Sequence, residues 1–278
     1  GTVIPPSITF IIYGMITGES IGDLFLSGIV PGLIFGFMLC IMVFIKSKKN
    51  GWKGETQRAS LKEIGRLFLD TIWGLLSPVI VLGGIYSGLF TPTEAAAVAV
   101  VYSLIVGIFI YKELRLAELK ETLFSTAKTT GMILLIIMNA GIFSWVLTQQ
   151  GIAASLTEMA LALTDNKYIM LVIINIVFLC AGCVMDNTSA LYILVPIIMP
   201  IAKALDINMI QLGVILVLNL SIGQVTPPVG PNLYVAADIG KVKFEEICRK
   251  MVPLLLMSLL ALLCITYIPA LSLCLIPS

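Results

Sequence analysis

Long apolar runs with few charges constrain this chain more than any other feature. A run of about 18 or more such residues can cross the hydrocarbon core of a bilayer as a helix. Only 12% of the 278 residues are charged and 59% are hydrophobic, so too few charges remain to coat a soluble surface. The sequence therefore predicts an all-helical, polytopic membrane protein. The predicted spans are Leu24–Ile45, Phe68–Phe90, Ala95–Tyr111, Met132–Leu147, Tyr168–Met185, Met209–Ile222 and Met251–Leu275.

An internal duplication repeats a double proline. When the chain is shifted by 222 positions, Pro5 and Pro6 fall on Pro227 and Pro228, and eight of the first 33 positions are identical. Chance matches in apolar sequence usually involve leucine or valine, whereas five of these identities are prolines or glycines. A repeat of this kind indicates two copies of one structural unit.

The basic residues predict how the two copies are oriented. Lysine and arginine favour the cytoplasmic side of a membrane. If residues 46–66 are cytoplasmic and residues 149–166 periplasmic, 15 of the 17 basic residues lie inside and the C-terminus lies outside. Equivalent elements of the two copies then end on opposite sides. Inverted repeats with discontinuous helices are typical of secondary transporters, whose binding site lies near the membrane midplane.

The double prolines predict helix interruptions at membrane depth. Proline lacks a backbone N–H and clashes with the preceding turn, and glycine tolerates the unusual conformations of an unwound segment. Freed backbone groups inside a bilayer need partners from protein, water or a bound ion. A plain proline kink is the alternative. The candidate site residues are Ile4, Pro5, Pro6 and Ser7 in the first break, and Gly223, Thr226, Pro227, Pro228 and Gly230 in the second.

A polar stretch, "MDNTS", lies between two further apolar arms. Ionisable residues at membrane depth usually line a site or pathway, and these side chains supply oxygens that suit a hard cation. We interpret the arms as a re-entrant hairpin with this stretch at its tip. The alternative is a surface loop that joins two full spans, with ordinary turn-forming residues. The candidate tip residues are Asp186, Asn187, Thr188 and Ser189.

Other motifs have structural explanations. Thr91, Pro92 and Glu94 form a capping-box pattern that predicts a helix start. Cys180 and Cys183 have CxxC spacing inside an apolar run, where small residues favour helix packing. The chain has no histidine, which excludes a zinc site of the HExxH type, and no catalytic constellation supports a membrane enzyme. The net charge of +1 gives no reason to expect a nucleic-acid partner.

Four stretches resemble the large membrane subunit of tripartite ATP-independent periplasmic (TRAP) transporters. They are "GTVIPPSITFIIYGMITGESIGDLFLSGIVPG", "GGIYSGLFTPTEAAAVAVVYSLIVG", "MDNTSALYILVPIIMP" and "LNLSIGQVTPPVGPNLYVA". The resemblance implies an elevator-type fold with inverted repeats, re-entrant hairpins and broken helices. In that family a first hairpin precedes the first break, so we expect a hairpin before Gly1 and expect this chain to be a fragment.

The resemblance also implies a function. It predicts a permease in the bacterial inner membrane that imports small organic acids, of the C4-dicarboxylate or sialic-acid type, with Na⁺ as the coupling ion and no covalent cofactor. The implied partners are a small membrane subunit and a periplasmic substrate-binding protein, besides the lipid bilayer. The residues expected to hold Na⁺ are Asn187, Thr188, Gly223 and Thr226.

We predict three regions from the repeat. Residues 1–46 form the remainder of the first copy, residues 47–126 the cytoplasmic loop, amphipathic arms and scaffold spans, and residues 127–278 the second copy. Two other transport functions remain open at this point. One is a sodium/divalent-anion symporter that works without a binding protein, and the other is a passive channel.

Overall fold

The computed structural model describes residues 2–52 and 60–276. Gly1 and residues 53–59 of the predicted cytoplasmic segment lie outside the described residues. Every regular element in the described ranges is helical. The helices are α1 Ile8–Thr17, α2 Ile21–Asn50, α3 Leu61–Tyr86, α4 Pro92–Ile105 with a π-helical turn Val106–Ile110, α5 Leu116–Gln149, α6 Ile152–Leu163, α7 Lys167–Val184, α8 Asn187–Ala204, α9 Met209–Gly223, α10 Pro231–Gly240, α11 Phe244–Tyr267 and α12 Ala270–Leu273.

Seven of the described helices are long and apolar enough to cross a membrane: α2, α3, α4 with its π-helical turn, α5, α7, α8 and α11. Many large apolar side chains are exposed, among them Phe124, Leu163 and Ile239, each 77% exposed. Such a surface would aggregate in water, whereas lipid tails are as apolar as leucine. The predicted all-helical, polytopic membrane fold is therefore confirmed.

The helices differ from the predicted spans in several places. The predicted span Met209–Ile222 corresponds to α9, which at 15 residues is shorter than the seven long apolar helices, whereas α8 is one of the seven. The predicted amphipathic arms, residues 61–72 and 117–124, are continuous with the spans that follow them, in α3 and α5. Helix α6 follows Gly151, a left-handed residue, where no helix was predicted. The last long helix begins earlier than predicted and ends at Tyr267, because Pro269 pushes the preceding residue out of helical geometry.

The chain packs into two compact units, Gly1–Asn50 with Ile136–Ser278, and Gly51–Leu135. This division follows packing, whereas the three predicted regions follow the repeat and stay a prediction. In the second unit, two tyrosines of the α4 region bind the backbone of α3. Tyr102 donates to the Trp73 carbonyl at 2.6 Å, and Tyr111 donates to the Asp70 carbonyl at 3.0 Å. The predicted capping box at Thr91 and Glu94 is present at the start of α4.

Helix α9 is the core of the first unit. Nearly all of its side chains are buried, and α1, α2, α7, α8, α11 and α12 pack around it. The two copies of the repeat contain corresponding helices. Helices α1 and α10 are both ten residues long, and the helices that follow them, α2 and α11, carry Pro31 and Pro253 in their interiors. Helices α2 and α11 pack together, and Lys46 Nζ donates to the Lys250 carbonyl at 2.8 Å. The inversion of the copies across a membrane stays a prediction.

Candidate functional site

The polar tip between α7 and α8 is shorter than its sequence predicts. Only Met185 and Asp186 separate the two helices, so Asn187, Thr188 and Ser189 form the first turn of α8. Asp186 is the N-cap of α8. Its Oδ2 accepts from the Ser189 amide at 3.0 Å, and its Oδ1 accepts from Ser189 Oγ at 2.6 Å. The Asp186 carboxylate therefore satisfies the start of its own helix.

Each arm of this hairpin is 18 residues long, or about 27 Å at the rise of an α-helix. That length approaches the hydrocarbon thickness of a bilayer, about 30 Å. Arm length is therefore compatible with full spans as well as with a re-entrant hairpin. The re-entrant interpretation stays a prediction.

The second break, residues 224–230, separates α9 from α10. A tightened turn closes the end of α9, where Thr226 N donates to the Gly223 carbonyl at 2.9 Å and Thr226 Oγ1 donates to the Ile222 carbonyl at 2.6 Å. Gly230 has a left-handed backbone with φ +46°, and a methyl group there would lie 2.8 Å from the Thr226 carbonyl oxygen. Only glycine combines this conformation with this close approach. The Pro227–Pro228 peptide bond is cis.

Two glycines bring the end of α7 against the end of α9. A methyl group on Gly223 would lie 2.6 Å from Gly182 Cα and 2.9 Å from the Leu179 carbonyl oxygen. Small residues at a helix crossing let two backbones approach closely. This contact confirms a packing role for the small residues around the CxxC pattern, whose Cys180 and Cys183 are both free thiols. It also places the hairpin tip beside the second break.

Hydrogen bonds join the tip to the break directly. Gln224 Nε2 donates to Asn187 Oδ1 at 2.9 Å, and Asn232 Nδ2 donates to Gln224 Oε1 at 3.0 Å. The Gly230 amide donates to the Cys183 carbonyl at 3.1 Å. The structure thus brings Asn187, Gly223 and Gly230 close together, while their role as a binding site stays a prediction. Thr188 is half-buried and makes no side-chain hydrogen bond within the described ranges.

In the first break, residues 2–7, the hydrogen bonds of Ser7 are made to residues close to it in the chain. Ser7 caps α1 by accepting from the Phe10 amide at 3.5 Å, and it donates to the Thr2 carbonyl. Its Pro5–Pro6 bond is also cis. Ile4 packs toward α2, where a methyl group on Gly32 would meet its Cγ1 at 2.6 Å.

One side-chain contact joins the first break to α9. Thr2 Oγ1 lies 2.5 Å from Ser221 Oγ, two residues before Gly223. The two breaks therefore converge on the same end of α9, although no hydrogen bond among the described residues links Pro5 or Pro6 to the hairpin tip.

Sequence reasoning missed a buried polar network behind the second break. Asn219 Nδ2 donates to Asn175 Oδ1 at 2.7 Å, and Asn175 Nδ2 donates to Thr266 Oγ1 at 3.2 Å. Gln211 Nε2 donates to the Thr266 carbonyl at 3.0 Å. These contacts fix how α9 is rotated against α7 and α11. Amide side chains inside apolar helices were the available signal, because polar groups in a membrane interior rarely lack a partner.

The donor set around the second break suits a monovalent hard cation. The residues expected to hold the ion, Asn187, Thr188, Gly223 and Thr226, carry amide, hydroxyl and carbonyl oxygens; the Asn187 and Gly223 oxygens also accept hydrogen bonds from Gln224 and Thr226. Within residues 2–52 and 60–276, no group of three or more His, Cys, Asp or Glu side chains is arranged to hold a metal ion. Neutral oxygen ligands of this kind fit Na⁺, which unwound helix carbonyls coordinate in secondary transporters.

The family profile described as "Tripartite ATP-independent periplasmic transporter, DctM component" matches residues 1–271. The chain belongs to this family. It is a transporter family, which sets the enzyme alternative aside.

Three similar relatives are named for what they transport. The C4-dicarboxylate TRAP transporter large permease protein DctM of Pseudomonas aeruginosa is 42% identical over 275 residues, which is 99% of this chain and 64% of the relative. The isethionate TRAP transporter permease protein DctMQ of Oleidesulfovibrio alaskensis is 41% identical over 97% of this chain and 42% of its own length. The sialic acid TRAP transporter large permease protein SiaM of Vibrio cholerae is 36% identical, over 98% and 64%. The chain thus spans less than two thirds of these relatives.

Proposed function

We propose that the full-length protein is the membrane permease subunit of a Na⁺-coupled importer of small organic acids. The observation that supports the proposal is the junction of the hairpin tip and the second break, where Gln224 donates to Asn187 and Gly182 packs against Gly223. Unwound backbone and half-helix ends are the usual places for coupling ions and anionic substrates in secondary transporters.

The substrate class is inferred from relatives. Those named for isethionate, C4-dicarboxylates, sialic acid and 2,3-diketo-L-gulonate all handle small organic anions. We therefore propose an acidic substrate of similar size for this protein, without choosing among them.

The proposed partners are a small membrane subunit and a periplasmic substrate-binding protein, in the bacterial inner membrane. The proposed orientation places residues 46–66 in the cytoplasm and the C-terminus in the periplasm, as the distribution of basic residues predicts. Single-cysteine labelling at Lys48 in a cysteine-free background tests it. Labelling by an impermeant reagent in intact cells would contradict the orientation.

The deciding experiment measures uptake by the full-length protein, reconstituted in vesicles together with the proposed small membrane subunit and substrate-binding protein. Radiolabelled succinate, isethionate and sialic acid are compared under an inward Na⁺ gradient and after the gradient is collapsed by an ionophore. We expect concentrative uptake of one of these acids only with the gradient. Uptake that needs no binding protein would favour the symporter alternative. Gradient-independent equilibration would favour a channel.

A further inference from the structure

Gln224 is the residue through which the hairpin tip, the second break and α10 are connected. It is half-buried and follows the last residue of α9. Its side chain donates to Asn187 and accepts from Asn232, and its carbonyl oxygen accepts from the Asn232 amide at 3.2 Å. Among the residues proposed as ion ligands, none has side-chain hydrogen bonds both to the hairpin tip and to α10.

The three amides form a directed relay. A primary amide has one donor end and one acceptor end. In the structure, Asn232 Nδ2 donates to Gln224 Oε1, and the Gln224 NH₂ group in turn donates to the Asn187 oxygen. That oxygen has two lone pairs, and Gln224 uses one of them. The second lone pair can coordinate a cation, and the hydrogen bond from Gln224 restrains the Asn187 amide before binding.

We infer that Gln224 is a positioning residue for cation binding: it holds the Asn187 oxygen toward the second break and couples the tip to α10. This inference rests on the proposed Na⁺ coupling. Gln224 need not touch the ion. Preorganising an oxygen before binding removes part of the ordering cost of binding, so losing the relay should weaken Na⁺ affinity even where the protein still folds.

The test compares Gln224→Met with Gln211→Met in the purified full-length protein. Both substitutions replace an amide by an apolar side chain of similar shape. Gln211 lies in the first turn of α9, the helix that Gln224 follows, about 20 Å away along the helix axis, and it donates one hydrogen bond, to the Thr266 carbonyl. Thermal unfolding is followed as NaCl replaces choline chloride at constant ionic strength, and hydrogen exchange is followed at residues 185–190.

For Gln224→Met we expect the Na⁺ concentration of half-maximal stabilisation to rise about threefold to tenfold, the range for one lost hydrogen bond. Exchange at the tip should rise as well. Gln211→Met should lower the unfolding temperature without moving either readout. An unchanged Na⁺ midpoint and unchanged tip exchange in Gln224→Met would overturn the inference while the proposed function stands. If Na⁺ does not stabilise the unmutated protein, the proposed function fails, and the ion role of Gln224 fails with it.

Discussion

The two proline breaks share a sequence pattern but are satisfied in different ways. In the first break, a serine side chain caps α1 and folds back on Thr2. In the second break, Gly230 supplies no side-chain cap to α10, and Gln224 and Asn232 form hydrogen bonds that reach the hairpin instead. Local contacts close both breaks, but only the second also forms hydrogen bonds to the hairpin within the described residues, from Gln224 Nε2 to Asn187 Oδ1 and from the Gly230 amide to the Cys183 carbonyl.

This difference indicates what each break can do. A locally capped helix start keeps its hydrogen bonds whatever its neighbours do. A break whose polar groups are satisfied by another element responds when that element is occupied or displaced. The duplicated pattern builds two short helices of equal length, α1 and α10, and the hydrogen bonds to the hairpin make the second break the one that we expect to respond to a ligand.

Replacing each proline pair in turn should give the largest difference between the two breaks. In Pro227→Ala/Pro228→Ala, two ring clashes disappear and two amide donors return, each proline being worth about 3 kcal/mol in a helix interior. We expect normal insertion, equal or higher thermal stability and loss of stabilisation by Na⁺, since ion binding stabilises only the state that binds.

The matched control is Pro5→Ala/Pro6→Ala in the full-length protein, measured by unfolding temperature against Na⁺ concentration. Because no hydrogen bond among the described residues joins Pro5 or Pro6 to the hairpin tip, Pro5→Ala/Pro6→Ala should keep most of the rise in unfolding temperature with Na⁺. If both variants lost stabilisation by Na⁺ equally, the proposed difference between the breaks would be wrong. If Pro227→Ala/Pro228→Ala kept normal stabilisation by Na⁺, the second break would be a plain proline kink.

Gly223→Ala should have the next largest effect. The added methyl group would lie 2.6 Å from Gly182 Cα, and two helix backbones have little room to yield. Overpacking of this kind costs about 1–3 kcal/mol. We expect lower thermal stability together with loss of uptake. Gly36→Ala is the control, because its methyl group meets nothing within 4 Å. Equal stability of the two variants would show that α7 and α9 do not depend on this close contact.

The sequence predicted much of this architecture because its signals are local. Apolar runs define the long helices, and the capping box at Thr91 and the breaks at the prolines follow from one residue and its near neighbours. The packing of Gly182 against Gly223 and the relay through Gln224 are not local. They depend on how two helices approach after folding, which neither stretch encodes alone. For the same reason, the sequence did not show that Asp186 caps the start of α8, and its role in binding stays a prediction.

A smaller effect should distinguish capping from ligation at Asp186. Replacing the cap in Asp186→Ala costs about 0.5–2 kcal/mol, whereas asparagine caps a helix as well as aspartate does. We therefore expect Asp186→Ala to lose thermal stability and Asp186→Asn to recover it, with uptake following stability in both. If Asp186→Asn is stable yet inactive, the carboxylate charge acts in transport, as the sequence analysis predicted.

The smallest expected effect is at Ser7, the counterpart cap in the first break. Ser7→Ala removes the acceptor for the Phe10 amide and the donor to the Thr2 carbonyl, so the start of α1 should lose about 1 kcal/mol. Ser7→Thr keeps both the hydroxyl acceptor and the hydroxyl donor without adding a charge at this buried position, and it serves as the matched control. Because these contacts are local, the Na⁺ concentration of half-maximal stabilisation should stay within about twofold of the unmutated value, the change expected for less than half a kcal/mol. A tenfold rise for Ser7→Ala would instead make Ser7 an ion ligand, and the two breaks would then share one site at the end of α9.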